Sequence, residues 1–591
     1  MFVGDSSHPT RRAFLIAGAA AAAGAAIAPG VAPALSRRRA RLWASSDLLT
    51  PSPIQAQALA VLGKTSLRAP GSLPDPSLPA GTDTIPQIEH VVVLMMENHS
   101  YDNFLGMLGR GPYQLLRGDG FTIASDGFPA DSNPTTSGAT QRAFLMPTTC
   151  QFSGAPTQEW EQCHIQYANG TNQGFVISES GVVAMGYWEQ ENLPFTYDLA
   201  RVFPIGDRYF CSVLGQTDPN RRYLIAGTSM GMTDDVGDSP EQDVSLLLTP
   251  PNATIFSRLD AFGISWTEYY AEYPDITGTT EALYPTVDLK YEKTNGAPFS
   301  QFLIDAAAGQ LPSFSLIDPN FDTSSQENPQ NIVVGEAFLR QVVEAIGTGL
   351  GWQQTILIIN YDEHGGYYDH VPPPVALAPD HIPPYLNPGD KPFDGFHRYG
   401  FRVPAIVVSP YAKQNYVSSM VYDHSSVLAF VERKFNLPAM TYRDANANDM
   451  TDFLDMDALT AANPTFPELP ALAAAGDTPQ ALACSTTGPG TVPPPPPPPM
   501  PITAQFTALT VSYNTNEIIA EVQASRSSLS GVTIALLQGT TTLAAATLAY
   551  LSVPMRQVVL KVGVGLPPAG GYTVAIVAGG VTLATEMITV S

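Results

Sequence analysis

The sequence predicts an α/β protein whose doubly wound parallel sheet is followed by a small all-β domain. Two apolar runs, one within residues 88–96 and one at residues 355–359, are typical of strands buried on both faces of a sheet. Segments between them, such as residues 335–346, carry apolar residues at helical spacing, and strands that alternate with helices favour a parallel sheet. Residues 502–591 instead form short alternating segments punctuated by Gly and Pro, which indicates a β-sandwich.

Later segments continue the alternation of strands and helices. Residues 403–409 predict another core strand, and residues 424–435 predict a helix that is entered through Ser425 and Ser426. We place the α/β domain that these elements build at residues 85–484.

Composition indicates a large globular protein and argues against nucleic acid as a partner. The chain has 591 residues, more than one ordinary hydrophobic core accommodates, and 44% of them are hydrophobic. The 29 basic and 54 acidic residues give a formal net charge of -25, which repels nucleic acid phosphates and anionic lipid surfaces. We therefore expect a folded protein that binds no nucleic acid.

The first residues have the features of a twin-arginine export signal. Arg11 and Arg12 precede an alanine-rich apolar segment, and small residues at 32–34 suit cleavage. The segment is too short and too weakly apolar to span a membrane, which takes about 20 strongly apolar residues. We expect residues 1–34 to be a signal peptide, and the protein to be secreted or periplasmic. Residues 35–84 lack periodicity and predict an irregular, loosely packed lead-in.

A proline run separates the α/β domain from the C-terminal domain. Residues 493–499 are all proline, and such a run adopts polyproline II and acts as a semi-rigid spacer within a linker at 485–501. The Ig-like sandwich that follows, residues 502–591, contains no cluster of acids or histidines. We expect it to serve adhesion, stabilisation or substrate approach through contact with a cell surface or lipid, and a purely structural role is equally open.

The four cysteines, Cys150, Cys163, Cys211 and Cys484, are too few for a disulfide scaffold. They allow one bridge in an oxidising compartment. Cys150 and Cys163 are close in sequence and make the plausible pair, while four buried thiols are the equally open alternative.

Acids and histidines follow the strand at 355–359 at once. An open α/β sheet binds its ligands beyond the carboxyl ends of the strands, and Gly365 and Gly366 let the backbone turn sharply there. A solvated turn would explain a lone Asp-Glu pair, but so many titratable residues in one short segment favour a functional site. They are Asp362, Glu363, His364, Asp369 and His370.

The strand within residues 88–96 ends in Glu97 and Asn98, so two strand ends carry oxygen donors. Together with Asp362 and Glu363, these side chains favour a hard divalent cation such as Ca, Mg or Mn over a thiolate-type zinc site. The nearby histidines leave zinc or iron open. The sequence thus predicts a divalent metal site whose ligands are Glu97, Asn98, Asp362 and Glu363.

Thr217 is the candidate nucleophile, in a loop before a predicted helix or turn. Thr-Asp-Pro-Asn is also a good turn sequence, and most threonines in such turns bond only their own backbone. Beside a metal the threonine is suited to act as a nucleophile, because a divalent cation lowers the pKa of the hydroxyl and stabilises the alkoxide. Asn220 and Arg221 could then hold the anionic oxygens of a phosphoryl group.

Three histidines, His164, His370 and His424, are candidates for phosphate contacts or for protonating a leaving oxygen. Any one of them alone is more often a structural histidine. Spacing along the chain does not establish that these segments converge.

Five ordered motifs resemble the bacterial and plant phosphoesterase family that includes non-haemolytic phospholipase C and AcpA-type acid phosphatases. The resemblance opens with residues 87–106, QIEHVVVLMMENHSYDNFLG, and covers roughly residues 88–453. The other motifs are MGYW at 185–188 and LPFTYDLA at 193–200 leading into TDPNR at 217–221, YDEHGGYYDHVPPP at 361–374, RVPAIVVSP at 402–410 and YDHSS at 422–426.

The resemblance implies an alkaline-phosphatase-like α/β fold with a metal beside a Ser or Thr nucleophile. Carried onto this chain, Glu97 with Asn98 and Asp362 with Glu363 would bind the metal, and Thr217 would be the nucleophile. His164, His370 and His424 fall where family members place phosphate-site or acid/base histidines. The chain departs from the family at Asn328, where members often have histidine, so a fourth histidine contact is not expected.

We therefore expect an exported phosphoric ester hydrolase that transfers a phosphoryl group to Thr217 and then to water. A phospholipase C acting on phosphatidylcholine-like lipid is favoured, because an acidic protein suits a zwitterionic headgroup better than an anionic bilayer. A broad-specificity acid phosphatase would need the same site. A surface binding protein with a degenerate site is the alternative of another class, and the intact site residues argue against it.

Overall fold

The computed structural model describes residues 49–110, 117–151, 156–235, 254–271, 280, 283–284, 295–321, 323–467 and 469, and seven strands between residues 504 and 590. The predicted signal peptide and proline linker lie outside these residues. The chain divides into two compact units. The first comprises Met1–Leu105, Asn133–Gln141 and Leu145–Val492, and the second comprises Gly106–Ser132, Arg142–Phe144 and Pro493–Ser591. The domain boundaries given above stay predictions.

The first unit is built around a mixed eight-stranded sheet. The strands up to residue 418 are β1 (His90–Met96), β2 (Ser132–Pro134), β3 (Thr140–Arg142), β4 (Phe144–Leu145), β5 (Gly186–Tyr187), β6 (Ile205–Gly206), β7 (Trp266–Tyr270), β8 (Gly296–Pro298), β9 (Phe314–Asp318), β10 (Thr355–Tyr361), β11 (Ala405–Val408) and β12 (Val417–Ser418). The sheet has the order β12-β6-β11-β10-β1-β9-β7-β8. Strands β10, β1, β9, β7 and β8 run parallel, which confirms the predicted α/β class.

Strand β11 departs from the parallel arrangement that the sequence predicts for residues 403–409. It runs antiparallel to both of its neighbours, β10 and β6. A parallel return needs a crossover, usually a helix, whereas residues 362–404 contain no helix. The chain therefore enters β11 from the opposite end of the sheet.

Helices flank this sheet, and two of them match predicted segments closely. The helices are α1 (Pro53–Val61), α2 (Tyr101–Leu105), α3 (Trp160–Tyr167), α4 (Pro194–Val202), α5 (Thr217–Ala226), α6 (Ile255–Ala261), α7 (Phe299–Ala308), α8 (Ile332–Thr348), α9 (His424–Phe435), α10 (Tyr442–Asn446) and α11 (Met456–Thr460). Residues 335–346 lie in α8 and residues 424–435 form α9. Among the described residues, no helix has the length and apolarity needed to cross a membrane.

The cap of α9 differs from the prediction. Asp423, rather than Ser425, is the residue that precedes the helix, and its backbone N–H donates to the hydroxyl of Ser426 at 3.1 Å. Ser425 lies inside the first turn and donates to the Asp423 carboxylate at 2.5 Å. An aspartate accepts the unpaired amide groups of a first turn as well as serine does, so the sequence offered two equivalent starts.

The core of the sheet is the pair β1 and β10. Every residue of β10 is buried, and only His90 of β1 is partly exposed. The two strands pair in parallel register from His90 opposite Thr355 to Met96 opposite Tyr361. The backbone N–H of Asp362 then donates to the carbonyl of Met96 at 3.1 Å. Residues that follow the two strands therefore start at the same level of the sheet.

The lead-in is more ordered than predicted at residues 53–61, which form α1, whereas residues 62–84 contain no helix or strand. Ser52 caps α1 in a capping box with Gln55, and Pro53 stands at the first helical position. The apolar side chains of this segment form a buried cluster, to which each leucine contributes about 1.5–3 kcal/mol. The cluster consists of Ala58, Leu59, Leu62, Leu67 and Leu377.

A lysine further secures the lead-in. Lys64 Nζ donates to the carbonyls of Asn446 at 2.6 Å and Ala447 at 2.7 Å, where α10 ends. A cation at a helix C-terminus satisfies carbonyls that have no intrahelical partner. Helix α1 is too short and too weakly amphipathic for periodicity to reveal it.

The plausible pairing of Cys150 with Cys163 does not form. Cys163 is a free, buried thiol inside α3, and its Sγ donates to the carbonyl of Gln158 at 3.1 Å. Cys211 is also a free, buried thiol, whereas Cys150 is disulfide-bonded. Cys484 lies outside the described residues.

The C-terminal region is all-β, as predicted. Its strands are β13 (Ala504–Ser512), β14 (Glu517–Ala524), β15 (Ser528–Gln538), β16 (Thr541–Ser552), β17 (Arg556–Lys561), β18 (Gly570–Ala578) and β19 (Val581–Val590). They form a three-stranded sheet, β13-β14-β17, and a four-stranded sheet, β16-β15-β18-β19, with every pairing antiparallel. Two antiparallel sheets of this size have the Ig-like sandwich architecture.

Candidate active site

The ends of three parallel strands meet at Arg221. This side chain is 2% exposed and comes from α5. Its guanidinium lies 3.4 Å from Glu97 Oε1 after β1, 3.3 Å from Asp318 Oδ1 at the end of β9 and 3.5 Å from Asp362 Oδ2 after β10. The structure therefore brings Glu97, Asp362 and Arg221 together, as the motifs predicted. The guanidinium contacts carboxylates here, and its predicted contact with phosphoryl oxygens stays a prediction.

Asp318 belongs to this cluster but was missed by the sequence reasoning. It is 1% exposed and is the last residue of the buried strand β9, whose residues 314–317 are apolar apart from Ser315. That position at the end of a buried strand was the signal that could have found it.

Hydrogen bonds from backbone N–H groups to carboxylates hold the turn at Asp362 and Glu363 and join it to the turn at Glu97 and Asn98. Asp362 Oδ1 accepts the backbone N–H of Asn98 at 3.0 Å and that of Glu363 at 2.7 Å. Glu363 Oε2 accepts the N–H of Gly365 at 2.7 Å. Asn98 has φ of 66°, a left-handed conformation that Asn tolerates better than most residues. These bonds fix the orientation of both carboxylates.

Gly365 confirms the predicted need for glycine at this turn. Its φ is 64°, and a Cβ atom there would lie 1.9 Å from the carbonyl oxygen of Asn98. The two turns approach so closely that any side chain at residue 365 would separate them.

Four buried oxygen atoms at these turns and on α5 have no hydrogen-bond partner among the described residues. A buried polar atom is costly unless a partner satisfies it, and carboxylate, amide and hydroxyl oxygens suit a hard divalent cation. The chemistry of this donor set therefore fits the metal that the sequence predicts. The atoms are Asn98 Oδ1, Thr217 Oγ1, Asp362 Oδ2 and Glu363 Oε1.

The crowded carboxylates have raised pKa values. Burial raises the pKa of Asp362 to about 7, with a further contribution from Glu97, while Arg221 acts in the opposite direction. Burial and then the Asp362 carboxylate raise the pKa of Glu363 well above its usual range. Additional positive charge at this point would favour the ionised forms.

Thr217 is the first residue of α5 and is 1% exposed. It lies four positions before Arg221, so both side chains stand on the same face of the helix, towards the strand ends. The N-terminus of a helix carries a partial positive charge that favours an anion. Thr217 is therefore a buried hydroxyl on the helix face that contacts the acid cluster.

The amide of Asn220 binds backbone groups of the protein, and its predicted phosphate contact stays a prediction. Its Oδ1 accepts the backbone N–H groups of Ser212 at 2.8 Å and Val213 at 3.1 Å. Its Nδ2 donates to the carbonyl of Gln216 at 2.9 Å. With both ends of the amide bound to the loop before α5, Asn220 positions Thr217 through the backbone.

His424 contacts the site from behind the strand. Its Nε2 donates to the backbone carbonyl of Asp362 at 2.6 Å, and its Nδ1 lies 3.3 Å from the hydroxyl of Tyr209. Burial lowers the pKa of His424 to about 4, so the ring is neutral near pH 7. The structure thus gives His424 a hold on the backbone that carries the Asp-Glu pair.

His164 lies among aromatic rings. Its Nδ1 donates to the carbonyl of Trp160 at 2.7 Å, and its ring stacks on Phe393 with centroids 3.9 Å apart. Its Nε2 lies 3.8 Å from Asp394 Oδ1. None of these contacts joins His164 to Glu97, Asp362 or Thr217.

His370 belongs to a second charged cluster. Its Nδ1 lies 2.7 Å from Asp102 Oδ2, and Arg402 bonds Asp102 at 3.2 Å and Asp369 at 2.9 Å. Among the described residues, Asp102, Asp369 and His370 are the one group of three or more acid and histidine side chains whose ligand atoms lie within 4.8 Å of one another. Arg402 already supplies positive charge there.

The charge on His370 follows from this cluster. Burial opposes the charged ring, but Asp102 outweighs it and raises the pKa of His370 to about 9. Its side chain is 23% exposed. His370 is therefore a protonated histidine near pH 7, in contrast to His424.

Carboxylates at the ends of parallel strands, contacted by the helix that begins with a buried threonine, are an arrangement typical of a hydrolase of phosphoric esters. Residues 88–438 match the phosphoesterase family, and the chain belongs to that family. The predicted family and enzyme class are confirmed.

Similar proteins include phospholipases C from a plant and a bacterium. Non-specific phospholipase C6 of Arabidopsis thaliana is 31% identical over 406 residues, which are 62% of this chain and 72% of that protein. Phospholipase C A of Mycobacterium tuberculosis is 29% identical over 447 residues, which are 67% of this chain and 82% of that protein. A solved structure from Vibrio parahaemolyticus, described as a protein in the alkaline phosphatase superfamily, is 11% identical, with a TM-score of 0.29, over 59% of this chain and 78% of its own.

Replacing Gly365 by alanine tests the packing of the two turns. Because the new Cβ would collide with the carbonyl of Asn98, we expect Gly365→Ala to displace the Asp-Glu pair and lower kcat/KM by about 100-fold. Gly263→Ala is the matched control, since Gly263 has φ of 68° and open space around it. Equal kcat/KM values in the two variants would contradict this account.

The pair of His370 and Asp102 predicts a pH-dependent stability. The pKa of His370 is raised from 6.5 to about 9, so the stability from its charge is fully present below pH 6.5 and is lost as the pH rises through 9. The free energies of unfolding of the wild type and His370→Asn, measured by denaturant titration, should therefore converge over that interval. A difference that stays constant between these pH values would contradict the assignment.

Proposed function

We propose that the protein is an exported, metal-dependent phospholipase C that cleaves phosphatidylcholine-like lipid through a phosphothreonine intermediate. One observation carries the proposal. The hydroxyl of Thr217 is buried and has no hydrogen-bond partner among the described residues, on the helix face whose Arg221 contacts Glu97 and Asp362. A buried hydroxyl in that position is suited to attack a bound phosphorus atom.

In the first step the oxygen of Thr217 bonds to phosphorus while the bond between phosphorus and the diacylglycerol oxygen breaks, and the proton of the Thr217 hydroxyl passes to solvent water. The leaving oxygen takes up a proton, and we assign His370 as its donor because its raised pKa keeps it charged near neutral pH. In the second step water attacks the phosphothreonine, which releases phosphocholine and restores the hydroxyl. The bond between phosphorus and the Thr217 oxygen breaks as one proton of that water passes to this oxygen and the other passes to His370.

The residues around Thr217 have separate duties in this mechanism. Asn220 fixes the loop that precedes the nucleophile, and Arg221 offsets the charge of Glu97 and Asp362. A divalent cation held by Glu97, Asn98, Asp362 and Glu363 would lower the pKa of the Thr217 hydroxyl and offset charge on the phosphoryl oxygens. His424 keeps the backbone of Asp362 in place.

The choice of a lipid substrate rests on the relatives and on charge. The plant and mycobacterial proteins described above are named as phospholipases C. A net charge of -25 suits a zwitterionic headgroup better than an anionic bilayer. A contact of the C-terminal sandwich with a cell surface or lipid stays a prediction.

A parallel assay of two substrates tests the proposed activity. Phosphatidylcholine vesicles and an aryl phosphate monoester are offered to the same preparation, with and without a chelator. We expect phosphocholine release to exceed release of inorganic phosphate, and the chelator to abolish both until Ca, Mg or Mn is restored. Cleavage of the monoester alone would indicate an acid phosphatase instead of a phospholipase C. Activity that survives chelation would contradict the proposed metal dependence.

Thr217→Ala is the control in the same assay. Loss of the nucleophile should lower kcat by about 10⁴-fold or more, while the far-UV circular dichroism spectrum is kept. Full activity of this variant would exclude the phosphothreonine. A wild type that hydrolyses neither substrate would favour the surface binding protein.

Export through the twin-arginine route has its own test. Replacing Arg11 and Arg12 by lysine should hold the precursor inside a bacterial host, because the signal is read at the arginine pair. Immunoblots of cytoplasmic and exported fractions measure this. Unchanged export of the double variant would contradict the assignment.

A further inference from the structure

Two adjacent aspartates each cap a different helix of the site. Asp234 Oδ1 accepts the backbone N–H of Trp160, the first residue of α3, at 3.2 Å. Asp235 Oδ1 accepts the backbone N–H of Asp218, the second residue of α5, at 2.7 Å. Such amides at the start of a helix lack an intrahelical partner, and the aspartate pair supplies one to both helices.

Neither helix is capped by the residue at its own start. Glu159 before α3 and Gln216 before α5 make no side-chain bond to the first turn of their helix. The capping bonds therefore come from a loop that follows α5 in the chain. This loop links the helix that carries Thr217 to the helix that carries Cys163.

The bonds of Asp235 bracket Thr217. Gln216 Oε1 accepts the backbone N–H of Asp235 at 2.7 Å, while Asp235 accepts the N–H of Asp218. Gln216 and Asp218, the two neighbours of Thr217, are thus both hydrogen-bonded to Asp235, which donates to Gln216 and accepts from Asp218. This arrangement, which we name the Asp235 clasp, fixes the backbone of Thr217 from both sides.

Asp234 extends the restraint towards the acid cluster. It is 5% exposed, and its Oδ2 accepts the hydroxyl of Thr233 at 2.9 Å and Nδ2 of Asn387 at 3.0 Å. Helix α3, which it caps, carries Gln166. Gln166 Oε1 accepts Nε2 of His364 at 2.7 Å.

His364 completes the connection to the proposed metal ligands. Its Nδ1 lies 3.1 Å from Glu363 Oε2, and the ring is buried. Asp234 thus acts on the position of Glu363 through α3, while Asp235 acts on Thr217. The two helices that flank the site share one loop as their anchor.

We propose that Asp235 is a positioning residue for Thr217, and that the Asp234 and Asp235 pair sets the distance between the nucleophile and the carboxylates. This inference rests on the proposed role of Thr217. Displacement of a reacting atom by about 1 Å costs about 100-fold in rate, so loss of the clasp should act on kcat. Substrate binding does not require the clasp, so KM should change little.

A set of variants of the full chain tests the acceptor role of Asp235. Asp235→Ala should lower kcat for phosphatidylcholine by about 10–100-fold with KM within about twofold of the wild type. Asp235→Asn should recover most of kcat, because the amide oxygen accepts the same N–H of Asp218. Asp455→Ala is the matched control, since Asp455 caps α11, which contributes no residue to the site, through Asp457 and Ala458. It should lower the melting temperature and leave kcat unchanged.

A second route keeps the test decisive if Asp235→Ala does not fold. Gln216→Ala removes the reciprocal bond and leaves both aspartates, and it should also lower kcat with KM kept. Wild-type kcat in Asp235→Ala or in a folded Gln216→Ala would overturn the inference. An Asp235→Asn enzyme as slow as Asp235→Ala would overturn it too, because charge rather than the accepted bond would then matter.

Thr217→Ala, assayed beside these variants, distinguishes failure of the proposed function from failure of the proposed role of the clasp. If Thr217→Ala retains activity, the proposed function fails and the inference fails with it. If Thr217→Ala is inactive while Asp235→Ala turns over as the wild type does, only the role of the clasp is refuted.

Discussion

The parallel register of β1 and β10 forces acidic side chains into one buried space. Met96 pairs with Tyr361, and each strand is followed at once by an acid, Glu97 or Asp362. Asp318 ends the neighbouring strand β9, so a third carboxylate joins them. Ionisation of three carboxylates buried together requires compensating positive charge, which Arg221 supplies in part.

Arg221 consequently ties α5 to the sheet. Removing one partner of a buried ion pair typically costs about 3–5 kcal/mol, because the remaining charge has no compensation. The same helix begins with Thr217. Arg221 therefore also sets the distance between the Thr217 hydroxyl and the strand ends. Stability of the fold and placement of the nucleophile depend on one contact.

The strand ends were predictable because buried parallel strands leave a continuous apolar signal, and Glu97 and Asp362 follow such runs directly. Asp318 escaped because its strand is short and Ser315 interrupts the run. The role of Asn220 was not predictable, since its partners are backbone groups that only the folded loop presents. Asp235 lies in none of the motifs or periodic segments from which the sequence predictions were made.

The histidines show the same limit. Sequence reasoning treated His164, His370 and His424 alike, because an imidazole has one ordinary pKa until its surroundings are known. In the fold His424 is buried against a carbonyl and neutral, while His370 lies beside Asp102 and is charged. The difference arises from residues far apart in sequence, such as Asp102 and His370.

The docking of the lead-in has a consequence for the order in which the first unit is completed. Lys64 bonds the carbonyl of Asn446, a separation of 382 residues. A growing chain that has not reached residue 446 has no partner for Lys64. Leu59 and Leu62 stay exposed to water until Leu377 has been synthesised. The earliest part of the described chain is therefore among the last to be secured, and a nascent chain that stalls before residue 446 exposes an apolar surface open to premature association.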